Sequence, residues 1–412
     1  MTLTLLLDLD DTLLSNDINI FLPAYLKLLG QHLSNMVPPE AMVHQLLAST
    51  KAMVSNNSAR LTLEHAFDRA FYPAIGHTKE EMRPLLEQFY AEIFPSLQTV
   101  TAPRPDAIHL VDYAAAQGHT LVVATNPIFP RQAILHRLDW AGLPAERTPF
   151  ALITDYEHFH FSKPNPAFFA EILAQLGWPA QPAVAIGNSL EDDLLPAARL
   201  GLPVFWVNPA DASLPSGLHP LSDGGSLADV IPWLEKIESA DLRQEYNTPE
   251  ALLAILKSTP AALDTLSASL TEQQWRERPE PKEWSLTEIF CHLRDSDQEV
   301  NLPRLEKVAT EDNPFLPGVN TDTWADERDY LHQDGPAALS EFIEVRSRLV
   351  ERLEAMPGTE WQRTARHAIF GPTTLKELIT FTVTHDRTHI DQSMKTLRAL
   401  SPAQQPVSKK TL

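Results

Sequence analysis

Five short apolar runs recur through the first half of this chain, with helical patterns between them. They are Leu3 to Leu7, Thr120 to Ala124, Ala151 to Thr154, Ala183 to Ile186 and Pro203 to Val207. Such strand and helix alternation predicts a mainly parallel sheet covered by helices. The first run is followed at once by Asp8 and Asp10. Side chains two apart in an extended chain point to the same side. Both carboxylates therefore face one site at the carboxyl end of the strand, where open α/β sheets place their ligands. Two like charges that close repel unless a proton or cation lies between them. A divalent ion such as Mg²⁺, which prefers oxygen ligands, meets that need. A strand running into an acidic turn has the same sequence, so the meaning of the pair rests on residues further along the chain.

From Asp17 to about Leu97 the pattern is helical, with Phe21, Tyr25, Leu28 and Leu29 at helical spacing. This insert, about residues 16–100, is expected to form a helical cap over the site at Asp8, or else a packed subdomain with no gating role. Downstream, polar groups stand at the ends of the later runs. Thr125 and Asn126 end one. Lys163 precedes the helical stretch from Pro166 to Leu176. Asn188, Glu191, Asp192 and Asp193 follow Gly187. A hydroxyl and a lysine can hold phosphate oxygens while acids hold a metal, which is what phosphoryl transfer requires.

The order Asp8-Leu9-Asp10-Asp11-Thr12, then Thr125, then Lys163-Pro164, then Gly187-Asn188-Ser189-Leu190-Glu191-Asp192-Asp193 resembles the four motifs of the haloacid dehalogenase (HAD) superfamily. The resemblance covers residues 1–237 and implies a Rossmann-like core with a helical cap inserted after the first motif. It implies that Asp8 attacks phosphorus to form an aspartyl-phosphate and that Asp10 protonates the leaving group, then deprotonates water. Thr125, Asn126 and Lys163 would bind the phosphoryl group. Asp8, Asp10 (through its backbone carbonyl), Asn188 and Asp193 would hold Mg²⁺. The family often has Asp where this chain has Asn188, which offers a neutral oxygen instead. Dehalogenases of the superfamily lack the second Asp, so Asp10 points to phosphate chemistry and a small phosphorylated substrate.

The formal net charge of -21 argues against nucleic acid or an anionic membrane as partner. A single cysteine, Cys291, allows no internal disulfide and fits a reducing cytoplasm. No stretch approaches the length of a membrane span.

Residues 238–248 are polar without apolar period and read as a linker; residues 401–412 read as a disordered tail. Between them lie four long helical patterns, about 249–270, 285–309, 336–355 and 373–398, which predict an all-α four-helix bundle. Ser285-Leu286-Thr287-Glu288 is a capping box. On the last helix one stripe runs Leu375, Leu378, Thr382, His385, His389, Gln392. His385 and His389 are four apart and stack on one face. With His292 from the second helix they could form a three-His site for Zn²⁺, Ni²⁺ or another divalent transition metal. Histidines satisfied within a core have the same spacing. The segments Trp284 to Leu293 and Thr384 to Ile390 resemble the two histidine segments of the DinB-like bundle family. That resemblance implies a divalent metal on His292, His385 and His389, and dimerisation through the bundle. It leaves two further roles open beside the phosphatase: a metal-dependent small-thiol transferase, or a non-catalytic dimerisation or metal-sensing module. Cys291 reads as a buried structural thiol.

Overall fold

The computed structural model describes residues 1–207, 213–238, 240 and 242–400. The expected tail at 401–412 lies outside them. The chain divides into two compact units, Met1–Ala261 and Ala262–Leu412.

The first unit is built on strand β1 (Thr4–Leu7), every residue of which is buried. A run of leucines buried on both faces belongs in the middle of a parallel sheet. A helical segment follows, made of α1 (Ile18–His32), α2 (Pro39–Val54), α3 (Leu63–Ile75) and α4 (Lys79–Gln88). Their starts are set by side chains: Asp17 accepts from the backbone of Asn19, Thr62 from His65, and Thr78 with Glu81 closes a capping box. These helices fill the stretch expected to be the cap.

The alternation then resumes with α5 (Pro105–Ala116), β2 (Thr120–Val123), α6 (Arg131–Trp140), β3 (Phe150–Ile153) and α7 (Pro166–Gln175). After these come β4 (Ala183–Gly187), α8 (Leu195–Arg199), β5 (Val204–Val207), β6 (Asp223–Gly225) and α9 (Val230–Glu238). The sheet order is β3-β2-β1-β4-β5-β6 and every pairing is parallel. This is doubly wound, Rossmann-like topology. Its order reverses at β1, so a crevice opens at the carboxyl end of β1 between β2 and β4. The expected α/β core with an inserted helical segment is what the chain forms. The edge strand β6 was not expected, because Asp223-Gly224-Gly225 carries no apolar run.

The second region holds α10 (Pro249–Ser267), α11 (Leu286–Ser296), α12 (Leu302–Thr310), α13 (Gly335–Glu354) and α14 (Leu375–Leu400). A single π-helical turn, Asp297–Asn301, joins α11 to α12. These account for the four long helical patterns. The division between units falls inside α10, whereas the segment expected as linker, 238–248, precedes it. One addition to the all-α expectation is a three-stranded sheet of β7 (Phe315–Leu316), β8 (Thr364–His367) and β9 (Gly371–Thr374). Its strands are two to four residues long, too short for a hydrophobic period to register.

Candidate active site and metal centre

Asp8 is the first residue beyond β1, and its amide still donates to the Ile186 carbonyl of β4. The chain then reverses: the amides of Thr12, Leu13 and Leu14 all converge on the Leu9 carbonyl. Asp11 takes a left-handed conformation, φ 55°, and its carboxylate accepts from the Asn16 amide. Arg104 donates to the carbonyls of Asp11 and Thr12, tying down the loop from a distant segment. Asp8 and Asp10 thus line one cavity through a tight turn, not through continued strand.

That cavity, of about 290 Å³, is also lined by Thr125, Asn126, Lys163, Asn188, Asp192 and Asp193. Of the residues expected to work with Asp8 in this half of the chain, all but the exposed Glu191 therefore line it. Lys163 is buried, and its ammonium lies 2.7 Å from Asp8 Oδ1 and 2.5 Å from Asp193 Oδ1. Thr12 Oγ1 donates to Asp8 Oδ2 at 3.0 Å. Asn126 Oδ1 accepts the Lys163 amide at 3.3 Å. Asp193 Oδ2 accepts the Ser189 amide at 2.9 Å. Gly187 is required at the end of β4, because a Cβ there would stand 2.4 Å from the Asp193 carboxyl carbon.

Burial pushes the Asp8 carboxyl up to about 7. The neighbouring Asp193 adds to the rise and Lys163 opposes it. Asp192 is raised for the same reasons, burial first and Asp193 second. Burial works against the charge on Lys163, but Asp193 and Asp8 hold it above its ordinary value. Five carboxylates, of Asp8, Asp10, Asp11, Asp192 and Asp193, line this cavity against two cations, Lys163 and Arg137, which do not balance them. An all-oxygen donor set with surplus negative charge fits a hard divalent cation, with Asp8, Asp10, Asn188 and Asp193 as the available ligands.

Sequence reasoning missed Arg137 and Asn16. Arg137, on α6, is only 2% exposed, and its Nη1 lies 2.5 Å from Asp10 Oδ2. Its guanidinium carbon stands 4.8 Å from the centre of the Phe129 ring. Asn16 Nδ2 donates to Asp10 Oδ1 at 2.8 Å. Both carboxylate oxygens of Asp10 are therefore held. The available signal was positional: Arg137 falls on the helix face of Ala133, Ile134 and Leu138, all fully buried.

In the bundle, His292 on α11 meets His385 and His389 on α14. His385 Nε2 lies 2.9 Å from His292 Nε2 and 3.1 Å from His389 Nε2. His389 Nδ1 donates to Gln392 Oε1 at 2.9 Å, which leaves its Nε2 as a bare lone pair. Trp284 stacks parallel to the His389 ring, 6.0 Å away. Burial, with the neighbouring His389, pushes His292 down to about 3; burial, with both neighbours, pushes His385 down to about 2. Neutral imidazoles are what a metal takes. One shared proton satisfies one nitrogen pair only, whereas an ion with bonds of about 2.1 Å touches all three nitrogens. The donor set fits a transition metal. Cys291 turns away: it is fully buried, and burial pushes its thiol up to about 12. Its burial is as expected.

Comparison with known proteins agrees with both halves. Residues 2–201 match the model of the haloacid dehalogenase-like hydrolases, and residues 255–393 match that of the DinB superfamily. A pyrimidine 5'-nucleotidase of Escherichia coli is 28% identical over 137 residues, 33% of this chain. The match spans 58% of that relative's length. A 2-haloacid dehalogenase structure from Pseudomonas syringae aligns with 57% of this chain and all of its own, at 20% identity and TM-score 0.42. YfiT from Bacillus subtilis, a four-helix bundle of unusual topology, aligns with 38% of this chain and 89% of its own, at 20% identity and TM-score 0.34. This chain thus joins a haloacid dehalogenase-like hydrolase domain, within residues 2–201, to a DinB-superfamily domain, within residues 255–393.

Proposed function

We propose that the first domain is a Mg²⁺-dependent phosphatase acting on a small phosphomonoester through Asp8. The observation that carries this reading is the division of labour between the two carboxylates. Asp8 stands beside Lys163, where a phosphoryl group would find its cation. Asp10 stands beside it with both oxygens held by Asn16 and Arg137, which fix its position at the leaving group. Asp8 Oδ forms a bond to phosphorus while the bond to the ester oxygen breaks, and Asp10 supplies the proton to that oxygen. Asp10 then takes a proton from water, which attacks phosphorus and returns Asp8. Thr125, Asn126 and Lys163 hold the phosphoryl oxygens. Mg²⁺ on Asp8, Asp10, Asn188 and Asp193 would add charge neutralisation.

The test is hydrolysis of an aryl phosphate with and without Mg²⁺, by the native chain and by Asp8→Asn. Mg²⁺-dependent release that falls at least a thousandfold in the variant is expected. Release retained in a folded Asp8→Asn chain overturns the reading. The nucleotidase among its relatives makes nucleoside monophosphates one class to include in the screen.

The convergence of three imidazole nitrogens favours a second reading for the bundle: it holds a divalent transition metal on His292, His385 and His389. Metal analysis of the native chain and of His385→Ala tests it, with about one ion per chain lost in the variant. Turnover that needs both a small thiol and His385 would make the bundle a transferase. Retained metal with no such turnover would leave it a binding or sensing module.

A further inference from the structure

A second cavity, of about 530 Å³, lies among the helices of the inserted segment. Resting on the phosphatase reading of Asp8 and Asp10, we propose that this cavity receives the leaving group, and that the substrate is the phosphomonoester of an apolar alkyl or aryl alcohol. Three observations lead there. First, the two cavities share Ile18, Ile128 and Phe129 as walls. The leaving-group oxygen must lie beside Asp10, which is bonded to Arg137, whose guanidinium lies over the Phe129 ring. Phe129 also lines the larger cavity, which therefore adjoins the place where the alcohol departs.

Second, the walls are apolar. Leu22, Leu26, Leu29, Phe67 and Leu86 line the cavity, as do Ile18 and Leu47, which are 55% and 45% exposed. Apolar side chains left open beside a reaction centre gain from an apolar ligand that covers them.

Third, several of the polar groups on the walls are already engaged with protein, although Tyr72, Arg83, Glu87, Gln132 and Tyr156 also line the cavity. The Tyr25 and Tyr90 hydroxyls lie 3.0 Å apart. Thr50 donates to the Leu46 carbonyl. Lys79 is bonded to Glu64 at 2.6 Å, and Glu157 accepts from the Arg131 amide. A sugar hydroxyl or base edge entering here would lose its hydrogen bonds to water and find these partners taken, which binding opposes.

The experiment measures kcat/KM for methyl, butyl, hexyl and phenyl phosphate and for uridine 5'-monophosphate. A rise of about fourfold for each buried methylene, from methyl to hexyl, is expected. Uridine 5'-monophosphate should fall well below hexyl phosphate. Leu47→Gln, at an exposed position where folding is not at risk, should flatten the rise; Phe67→Ala should flatten it further. A flat or falling series overturns the proposal, as does preference for the nucleotide. Binding of hexylphosphonate, which cannot be hydrolysed, separates the two readings. Binding at least tenfold tighter than methylphosphonate, without turnover of any ester, keeps the apolar cavity and rejects the role of Asp8. Turnover without that preference rejects the cavity and keeps Asp8.

Discussion

Arg346 sits at the centre of the bundle and offers the sharpest test of how it is held. Its side chain is 1% exposed, and so is that of Asp297; that of Asp386 is fully buried. Its Nε lies 2.6 Å from Asp297 Oδ2, and its Nη2 lies 3.1 Å from Asp297 Oδ1 and 2.9 Å from Asp386 Oδ1. Nη1 closes the fork on Asp386. One guanidinium thus grips carboxylates from the π-helical turn after α11 and from α14. Arg346→Met fills similar volume but takes the guanidinium away from two buried carboxylates. Breaking a buried pair this way costs about 3 to 5 kcal/mol, a large part of the roughly 5 to 15 kcal/mol that holds a domain together. Replacing all three residues, Arg346→Met with Asp297→Leu and Asp386→Leu, removes the charges together and should return stability to within about 1 kcal/mol of native. Scanning calorimetry reads both, on the transition that moves when Zn²⁺ is added. A loss under about 1 kcal/mol for Arg346→Met refutes the reasoning. So does a triple variant as unstable as the single one, because the cost would then not come from uncompensated charge. The triad also flanks the three histidines, since Asp386 follows His385 and Asp297 lies five residues beyond His292. A folded triple variant should bind Zn²⁺ at least tenfold more weakly, because leucines do not fix helix register as the forks do.

Two further outcomes rest on named groups. Arg137→Met removes a cation that fixes Asp10; kcat should fall on the order of a hundredfold for alkyl phosphates, whose leaving oxygen needs a proton. It should fall much less for dinitrophenyl phosphate, and an equal fall for both would show that Arg137 does not act through Asp10. In the metal-free bundle, His292 and His385 titrate far below the ordinary 6.5. The folded state then refuses protons that the unfolded chain accepts, so stability is full above pH 6.5 and is lost as pH falls toward 3. Between pH 6.5 and 5 the loss should be roughly 3 kcal/mol for the two residues. Calorimetry in chelator checks it, and a transition unchanged over that range in the native chain would overturn it.

Much of the site was legible because its residues sit at strand ends. An apolar run followed by a polar residue is readable one position at a time, which is how Asp8, Thr125 and Asn188 could be found without knowing the sheet order. What was not legible came from outside that grammar. Arg137 and Arg346 are charged residues on apolar helix faces, among Ala133, Ile134 and Leu138 in one case and Phe342, Leu349 and Val350 in the other. Sequence marks them as oddities, but their partners, Asp10, Asp297 and Asp386, are 40 to 127 residues away. The three-stranded sheet in the second half escaped because β8 alternates exposed and buried over four residues only. The apolar cavity escaped for a different reason: a leucine that lines a void and a leucine that fills a core have the same periodicity.

The two halves of the chain also differ in the donors they offer, and this bears on which ion goes where. The site at Asp8 presents oxygen atoms beside a buried lysine. The site at His292 presents three imidazole nitrogens. Oxygen sets suit Mg²⁺, which binds imidazole poorly, while imidazole sets take Zn²⁺ or Ni²⁺ in preference to Mg²⁺. The ammonium of Lys163 lies between Asp8 and Asp193, so an ion entering there competes with a fixed positive charge for the same two carboxylates. The histidines, held neutral by burial, set no such charge against an incoming ion. On the proposed reading the bundle should bind its ion more tightly, and treatment with a chelator followed by Mg²⁺ alone should restore phosphate release while leaving the histidines empty. Phosphate release that instead required Zn²⁺ would place the chemistry on the histidines.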